Sequence, residues 1–453
     1  MQHELTIKMA SNISLASLSL YILTFNAGRE YIDVDAFASQ LFTGLSQPKL
    51  PDLIVLSLQE IAPVAHSLIG GSFLVPYYAK YHEAVQKAAR KATDAPEPVY
   101  TAVAARNTGM IGIMVFAKDP EAIRDLENGG VGFGTSEMGN KAAVGARFTY
   151  ASGDSSTELT FISAHLAAGE GALARRNEDW ESIVRGLVFS STSQDGRNAT
   201  SLSGDSDERP LLSISPQDGS IYKSTSHLFV AGDLNYRTST ISPSSTDHED
   251  TFPQPYHDKS SPNHISALYK NDQLNQERIA GRTCHGLIEA PITFPPTYKY
   301  DPKEPFNTPD EELQKWHWAT HRWPSWCDRI LYLDVPSWLK EQHPEAKITV
   351  QNYTALPLLP TSDHRAVTLE VSVPLIAIPK PDLEEEDNTD PRIHPPFSID
   401  INWKTRREWA RKLELVAGFI AYFTTTWEGA GVFIALLAGA IGVYFAIKSF
   451  LLY

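Results

Sequence analysis

The chain has 453 residues, 42 % of them hydrophobic and 21 % charged, with a net charge of −15. That length and apolar content fit one large domain with appendages or two modest ones, and the acidic balance excludes a polyanion partner held by global charge, so any phospholipid or nucleic-acid site must be a local basic pocket. Two cysteines, Cys284 and Cys327, exclude a disulfide framework and fit a reducing compartment.

Residues 1–10 lack the basic-then-apolar pattern of a secretory signal, so none is expected. Residues 13–25 alternate apolar residues with Ser and Thr and read as a strand. Apolar runs of β character recur at 18–25, 53–58, 111–116, 143–150, 159–164, 227–231, 330–333 and 367–373, with helical patterns at 33–45 and 172–187. Strands mixed with helices on this scale predict an α/β domain over residues 13–377. Residues 190–226 and 238–263 are rich in Ser, Asp, Pro and Asn and read as surface insertions. The Pro- and acid-rich stretch 378–412 reads as a linker that becomes basic at Lys404, Arg406, Arg407, Arg411 and Lys412. Residues 413–453 read as a hydrophobic anchor: 429–447 has the length of a span, and the shorter run 413–427 either lies in the interface or against the protein, or enters the bilayer with it as a helical hairpin turning at Glu428-Gly429.

Polar words lie at the ends of the apolar runs. Asn26 ends the first and Glu60 the second, an amide and a carboxylate of the kind hard cations take. His165 ends the run 159–164, ahead of a helix bearing Arg175, Arg176 and Asn177. In Gly232-Asp233-Leu234-Asn235-Tyr236-Arg237, Asp233 and Asn235 lie two apart after a strand and can point the same way. There a carboxylate can orient a water. Phe294-Pro295-Pro296-Thr297-Tyr298-Lys299 is a proline-stiffened loop whose Tyr298 and Lys299 are donors for a phosphate. Trp326-Cys327-Asp328-Arg329 and Ser362-Asp363-His364-Arg365 add two carboxylates and an imidazole; a carboxylate beside a His favours its charged form. Taken singly, each word also reads as an ordinary loop, turn or helix face.

Together and in this order, with Met138-Gly139-Asn140-Lys141, the words resemble the endonuclease/exonuclease/phosphatase superfamily and, within it, the inositol polyphosphate 5-phosphatases, over roughly residues 18–373. The sequence departs from that family at Phe25, where it usually has Trp, at Ala142 (Gly) and at Ala366 (Pro); no catalytic group is removed. The resemblance implies a four-layer sandwich of two mixed β-sheets flanked by helices. It implies Mg²⁺ held by Glu60 with help from Asn26, and Asp233 positioning and activating water. Asn235 and His165 would bind the scissile phosphate, His364 oriented by Asp328 would stabilise the transition state, and Asp363 would support the network. Lys141, Arg175, Arg176, Asn177, Tyr298 and Lys299 are the implied readers of a neighbouring ring phosphate. The expected substrates are phosphoinositides such as phosphatidylinositol 4,5-bisphosphate, or soluble inositol polyphosphates, with no nucleic-acid partner. A nuclease or sphingomyelinase of the same superfamily would share the core words but not the Phe-Pro-Pro-Thr-Tyr-Lys word, and a non-enzymatic membrane tether would not keep the catalytic groups. The bases before residue 413 favour a cytosol-facing domain, with an anchor inserted after synthesis into the endoplasmic reticulum or a related endomembrane.

Overall fold

The structure is a computed structural model that describes residues 15–93, 97–191, 216–301, 309–381 and 389–451. Among the described residues, twelve strands form two six-stranded mixed sheets. The first contains β1 (Ser17–Asn26), β2 (Leu53–Gln59), β3 (Thr101–Thr108), β4 (Ile111–Ala117), β11 (Thr349–Ala355) and β12 (Val367–Pro374), in the order β11-β12-β1-β2-β4-β3. The second contains β5 (Ile123–Gly132), β6 (Ala142–Ser152), β7 (Ser155–His165), β8 (Ser190–Ser191), β9 (Ser226–Asp233) and β10 (Asp328–Tyr332), in the order β10-β9-β7-β6-β5-β8. Each sheet has one parallel pair among its inner strands, β1 with β2 and β7 with β9.

The central strands are apolar almost throughout because both of their faces are covered. Ile22, Val55, Ile113, Val144, Phe161, Phe229, Ile330 and Leu369 fill the space between the sheets. Leu23, Leu56 and Met114 point outward onto Phe37, Tyr81 and Val85 of helices Val34–Gln40 and Val75–Thr93. Ile162 and Val230 point outward onto Trp180, Ile183 and Val184 of helix Leu173–Gly186. The result is the expected four-layer α/β sandwich.

Sequence reading finds the eight buried strands and misses β3, β5, β8 and β11. Strands β3, β5 and β11 lie at or next to sheet edges and are half-solvated, so their apolar pattern is diluted, as in the burial sequence of β11, which keeps one buried position in seven. The two stretches read as insertions behave differently from a loose loop where they are described. Ser220, Ile221, Tyr222 and Ser226 are buried in the second sheet's outer layer, while residues 192–215 lie outside the described residues. In the other stretch Phe252 is buried against Trp318 and Trp323.

The stretch read as a linker also packs where it is described. Arg392 is buried, its Nη2 donates to Asp334 O and its guanidinium lies 5.7 Å from the Trp338 ring centroid. Residues 402–426 do not divide at 412: Trp403–Thr425 is one helix seated on helix Val64–Ile69. The apolar run that begins at residue 413 is therefore the second half of a docked helix. Ala410, Glu414 and Gly418 recur at four-residue spacing and are buried. Arg411 donates to Leu68 O and Ile69 O, both at 2.6 Å, and so serves the unpaired carbonyls that end the shorter helix. Among the described residues, one helix is long and apolar enough to cross a membrane, Trp427–Leu451.

Candidate active site

The ends of β1 and β2 in one sheet and of β7 and β9 in the other meet at one edge of the sandwich. The registers fix which side chains arrive there. Asn26 stands beside Gln59, one residue before Glu60; His165 stands beside Asp233, and Asp233 beside Asp328. Buried polar bonds tie the sheets together just beneath. Ser57 Oγ donates to Ser163 Oγ at 2.8 Å, and Asn26 Nδ2 donates across the gap to Asp233 Oδ2 at 3.0 Å. Glu60 (φ 49°) and Asn235 (φ 57°) both hold left-handed backbone, a strain that side chains other than Gly adopt where surrounding structure imposes it.

Asp233 is the hub. Its Oδ1 accepts from the Asn235 amide at 3.1 Å, its Oδ2 lies 3.1 Å from His165 Nε2, and His364 Nε2 is 3.9 Å away. Burial would raise its pKa, but His165, His364 and Lys141 outweigh burial and hold it far below the usual carboxylate range. Asn235 Nδ2 is held by Leu166 O at 3.1 Å. Lys141 Nζ also reaches His165 Nε2. One ring nitrogen cannot serve a carboxylate and an ammonium at once: protonated, Nε2 donates to Asp233, and unprotonated it accepts from Lys141. Burial, then Lys141, pushes His165 toward its neutral form, and burial lowers Lys141 too.

His364 Nδ1 lies 2.9 Å from Asp328 Oδ2, which also accepts from Thr297 Oγ1 at 2.7 Å. Burial alone would favour a neutral imidazole, but Asp328, Asp233 and Asp363 together raise His364 to about 9. Tyr298 covers the ring with centroids 4.5 Å apart, and Ser362 Oγ accepts from the His364 amide while donating to Asn26 O. Asp328 is itself fixed by its neighbour: Arg329 is fully buried and paired with Asp272 at 2.9 Å and Glu289 at 2.6 Å.

One cleft is lined by Asn26, Glu60, Lys141, His165, Asp233, Asn235, Tyr298, Lys299, Asp363 and His364, with Arg29 and Arg237 among them. Lys299 Nζ pairs with Asp363; burial would raise that carboxyl, but His364 and then Lys299 hold it below the usual range. The helix triplet does not reach the cleft. Arg176 is fully buried and donates to Ala167 O, Gly169 O and Gln273 Oε1; Asn177 bonds Glu277 and Tyr236. Arg175 pairs with Asp179 and donates to Phe133 O. All three seat the helix: Arg176 under the loop that follows β7, Arg175 against the end of β5, and Asn177 against Tyr236 and Glu277. A solvated-face reading of the arginine pair fails for Arg176, whose guanidinium is taken up inside the protein by Ala167 O, Gly169 O and Gln273 Oε1.

Several residues of the site carry no separate sequence assignment. Arg237 lies in the Asn235-Tyr236-Arg237 word; its Nε donates to Asn235 O at 3.0 Å and its guanidinium stacks 4.4 Å from the Tyr298 ring. Thr297 lies in the Pro-Pro-Thr word. Arg29 pairs with Glu60 at 2.7 Å and has no local signal, because the contact depends on the β1–β2 pairing.

The oxygen donors of Glu60, Asn26 and Asp233 fit a hard divalent cation. Glu60 is ionised: burial opposes this, but His165, Arg29 and Lys141 hold its pKa down. Ligand atoms of Asp233, Asp328 and His364 also lie within 4.8 Å of one another. That trio is better described as an ion network, because an imidazole charged at neutral pH has no lone pair to give a metal.

Two mixed sheets carrying an acid–imidazole cluster at one edge define the endonuclease/exonuclease/phosphatase architecture. The family profile described as Endonuclease/Exonuclease/phosphatase family 2 matches residues 23–370, and the chain belongs to that family. It is 27 % identical over 383 residues to a probable inositol polyphosphate 5-phosphatase of Schizosaccharomyces pombe, covering 78 % of this chain and 28 % of the relative. It is 29 % identical to type II inositol polyphosphate 5-phosphatase 14 of Arabidopsis thaliana, covering 74 % and 28 %. The chain thus spans little more than a quarter of the length of these relatives. Among solved structures, the inositol polyphosphate 5-phosphatase domain of SPsynaptojanin, in complex with inositol (1,4)-bisphosphate and calcium ion, has the same fold. Its TM-score is 0.56 at 23 % identity, covering 89 % of this chain and 92 % of that one.

Proposed function

We propose that this chain is an Mg²⁺-dependent phosphomonoesterase that removes the 5-phosphate from phosphoinositides, such as phosphatidylinositol 4,5-bisphosphate, or from soluble inositol polyphosphates. The observation that carries this reading is the convergence of Asp233, Lys141, Lys299 and His364, the last backed by Asp328, on one cleft beside the oxygen donors Glu60 and Asn26. The names of the relatives support the substrate class.

Glu60 and Asn26 would hold the cation, which when bound neutralises phosphate charge and favours attack by water. Asp233, fully ionised and fixed by three donors, would align the attacking water; so acidic a carboxylate is better suited to orienting a water than to keeping its proton. Charged His364 would stabilise the phosphoryl oxygens as negative charge shifts in the transition state. Asn235 and His165 would hold those oxygens. The phosphorus–oxygen bond to the ring breaks as the bond to the water oxygen forms, yielding inorganic phosphate and a free ring hydroxyl. No side chain need act as a covalent nucleophile. Lys141, Tyr298 and Lys299 remain the candidates for a neighbouring, uncleaved phosphate, and Arg175, Arg176 and Asn177 leave that role.

The span Trp427–Leu451 would anchor the chain in an endomembrane such as the endoplasmic reticulum, with the catalytic domain in the cytosol. The test is phosphate release from a panel of phosphoinositides, soluble inositol phosphates and abasic DNA, with Mg²⁺ and with excess chelator. Release only from inositol compounds carrying a 5-phosphate, and only with the cation, is expected. Cleavage of the DNA, or release in chelator, would overturn the reading.

A further inference from the structure

Helix Trp403–Thr425 presents two unlike faces. The inner face belongs to the catalytic domain. Glu414 is fully buried, paired with Arg407 at 2.7 Å, and accepts from Gly139 N at 3.0 Å, in the loop two residues before Lys141. A Cβ on Gly418 would meet Ile69 N at 3.0 Å, so the helix is seated as closely as a Gly allows. In its last turn Ala421 and Thr425 line the catalytic cleft, together with Pro63 and Val64.

The outer face is apolar. Trp409, Val416 and Ile420 stand seven and four residues apart, on one side of a helix, and are 61 %, 59 % and 59 % exposed. Phe419 is exposed beside them, and Lys412 sits on the same side. A soluble domain rarely leaves such a stripe uncovered. The chain itself indicates what covers it. At Thr426 the backbone is extended and ends the helix, and Thr426 Oγ1 accepts from Gly429 N at 3.0 Å to start the next one. That next helix is Trp427–Leu451, none of whose most apolar window is buried. Phe423 meets Phe433 of the span at 5.8 Å, so the helix that carries the stripe is in aromatic contact with the anchor. Trp409 and Trp427 suit the boundary between headgroups and acyl chains.

We propose that helix Trp403–Thr425 lies in the interface of the bilayer that holds its own anchor, outer face down. Because its inner face is a wall of the cleft, it holds the cleft at that surface and directs the enzyme to lipid substrate in the same membrane. The substrate part of this inference rests on the phosphatase reading above; the membrane-held cleft does not.

The test uses the full chain reconstituted in phosphatidylcholine vesicles. Cys284 and Cys327 are buried, so a single thiol placed by Val64→Cys at the cleft rim, or by Thr405→Cys on the outer face, takes a fluorophore selectively. Both labels should be quenched by spin-labelled lipid. The double variant Val416→Asp with Ile420→Asp alters two exposed side chains and keeps the span. In it, quenching at the cleft rim should be lost. The ratio of phosphatidylinositol 4,5-bisphosphate hydrolysis in the same vesicles to hydrolysis of soluble inositol 1,4,5-trisphosphate should fall about tenfold. An unquenched rim in the parent chain, quenching that survives the double variant, or an unchanged ratio would each overturn the proposal. A quenched rim with no hydrolysis of either compound would instead defeat the phosphatase reading and leave the membrane-held cleft standing.

Discussion

His364 and Asp328 form a buried pair, Nδ1 to Oδ2 at 2.9 Å, with the imidazole's other nitrogen turned toward Asp233. The pair fixes both the orientation of the ring and its charge. His364 is raised to about 9 although burial opposes it, because three carboxylates face it. The rate should therefore hold through neutral pH and fall as pH rises through about 9. Asp328→Asn removes the nearest of those carboxylates. It should lower kcat by about 10²–10³-fold and move the alkaline limb toward the ordinary histidine range. A pH–rate profile checks this, and an alkaline limb that stays in place would exclude His364 as its source. The same linkage has a stability sign. A raised folded pKa contributes stability that is fully present below the unfolded value and is lost as pH rises through the folded one. Unfolding midpoints should thus show a loss on the alkaline side in the parent chain, and a smaller one in Asp328→Asn.

Glu60 and Arg29 make the second test. The ion pair at 2.7 Å occupies the carboxylate assigned to the cation, and Arg29 is largely exposed and so weakly held. Glu60→Gln should abolish turnover, by at least about 10³-fold, while leaving the melting temperature close to that of the parent chain. Arg29→Ala should act oppositely on the metal, lowering the half-saturating Mg²⁺ concentration about two- to tenfold. Titration of activity against Mg²⁺ distinguishes the two. A Glu60→Gln rate near normal would remove Glu60 from the cation site.

These assignments could be read from the sequence for a physical reason. Asp233 and Asn235 close a strand buried on both faces, and Asp328 and His364 lead into two more, so each polar word abuts a near-continuous apolar run. What the sequence hides is of two kinds. The half-solvated edge strands β3 and β11 lack a strong period. Residues whose partners lie far along the chain carry no local mark: Arg29 waits for Glu60, and Glu414 for Gly139, 275 positions away. Arg176 shows the opposite error. Its place beside Arg175 suggests an anion site, yet its guanidinium is consumed by two backbone carbonyls and Gln273. Composition alone does not show that the run 413–427 has two unlike faces, of which Glu414 and Gly418 mark the protein-facing one.

Lys299 separates substrates. It lies in the cleft, partly exposed, and is held by Asp363 rather than by backbone. Lys299→Ala should reduce kcat/KM on substrates with a phosphate at ring position 4 by about 10–100-fold, and on those without it by much less. Equal losses on phosphatidylinositol 4,5-bisphosphate and on a 5-monophosphate would show that Lys299 serves the cleaved phosphate or the fold.

Where the chain is cut should decide whether the catalytic domain stays intact. Ending it near residue 400 removes the helix that bonds Leu68 O, Ile69 O and Gly139 N and that covers the apolar side of Leu68 and Ile69. Ending it after Thr426 removes only the exposed span. Three lost hydrogen bonds, two of them from a charged donor and one to a charged acceptor, with newly exposed apolar surface, should cost about 2–4 kcal/mol. In a domain of this size that lowers the melting temperature by several degrees. The loop from Gly139 to Lys141 loses its tie to Glu414, so kcat should fall as well, even on a soluble substrate. The chain ending after Thr426 should melt and turn over soluble inositol phosphate as the full chain does. Calorimetry and phosphate release on both truncations check this. If the two melt alike and work alike, the helix is only a tether, and the hydrogen bonds it makes to the domain contribute nothing to holding the site.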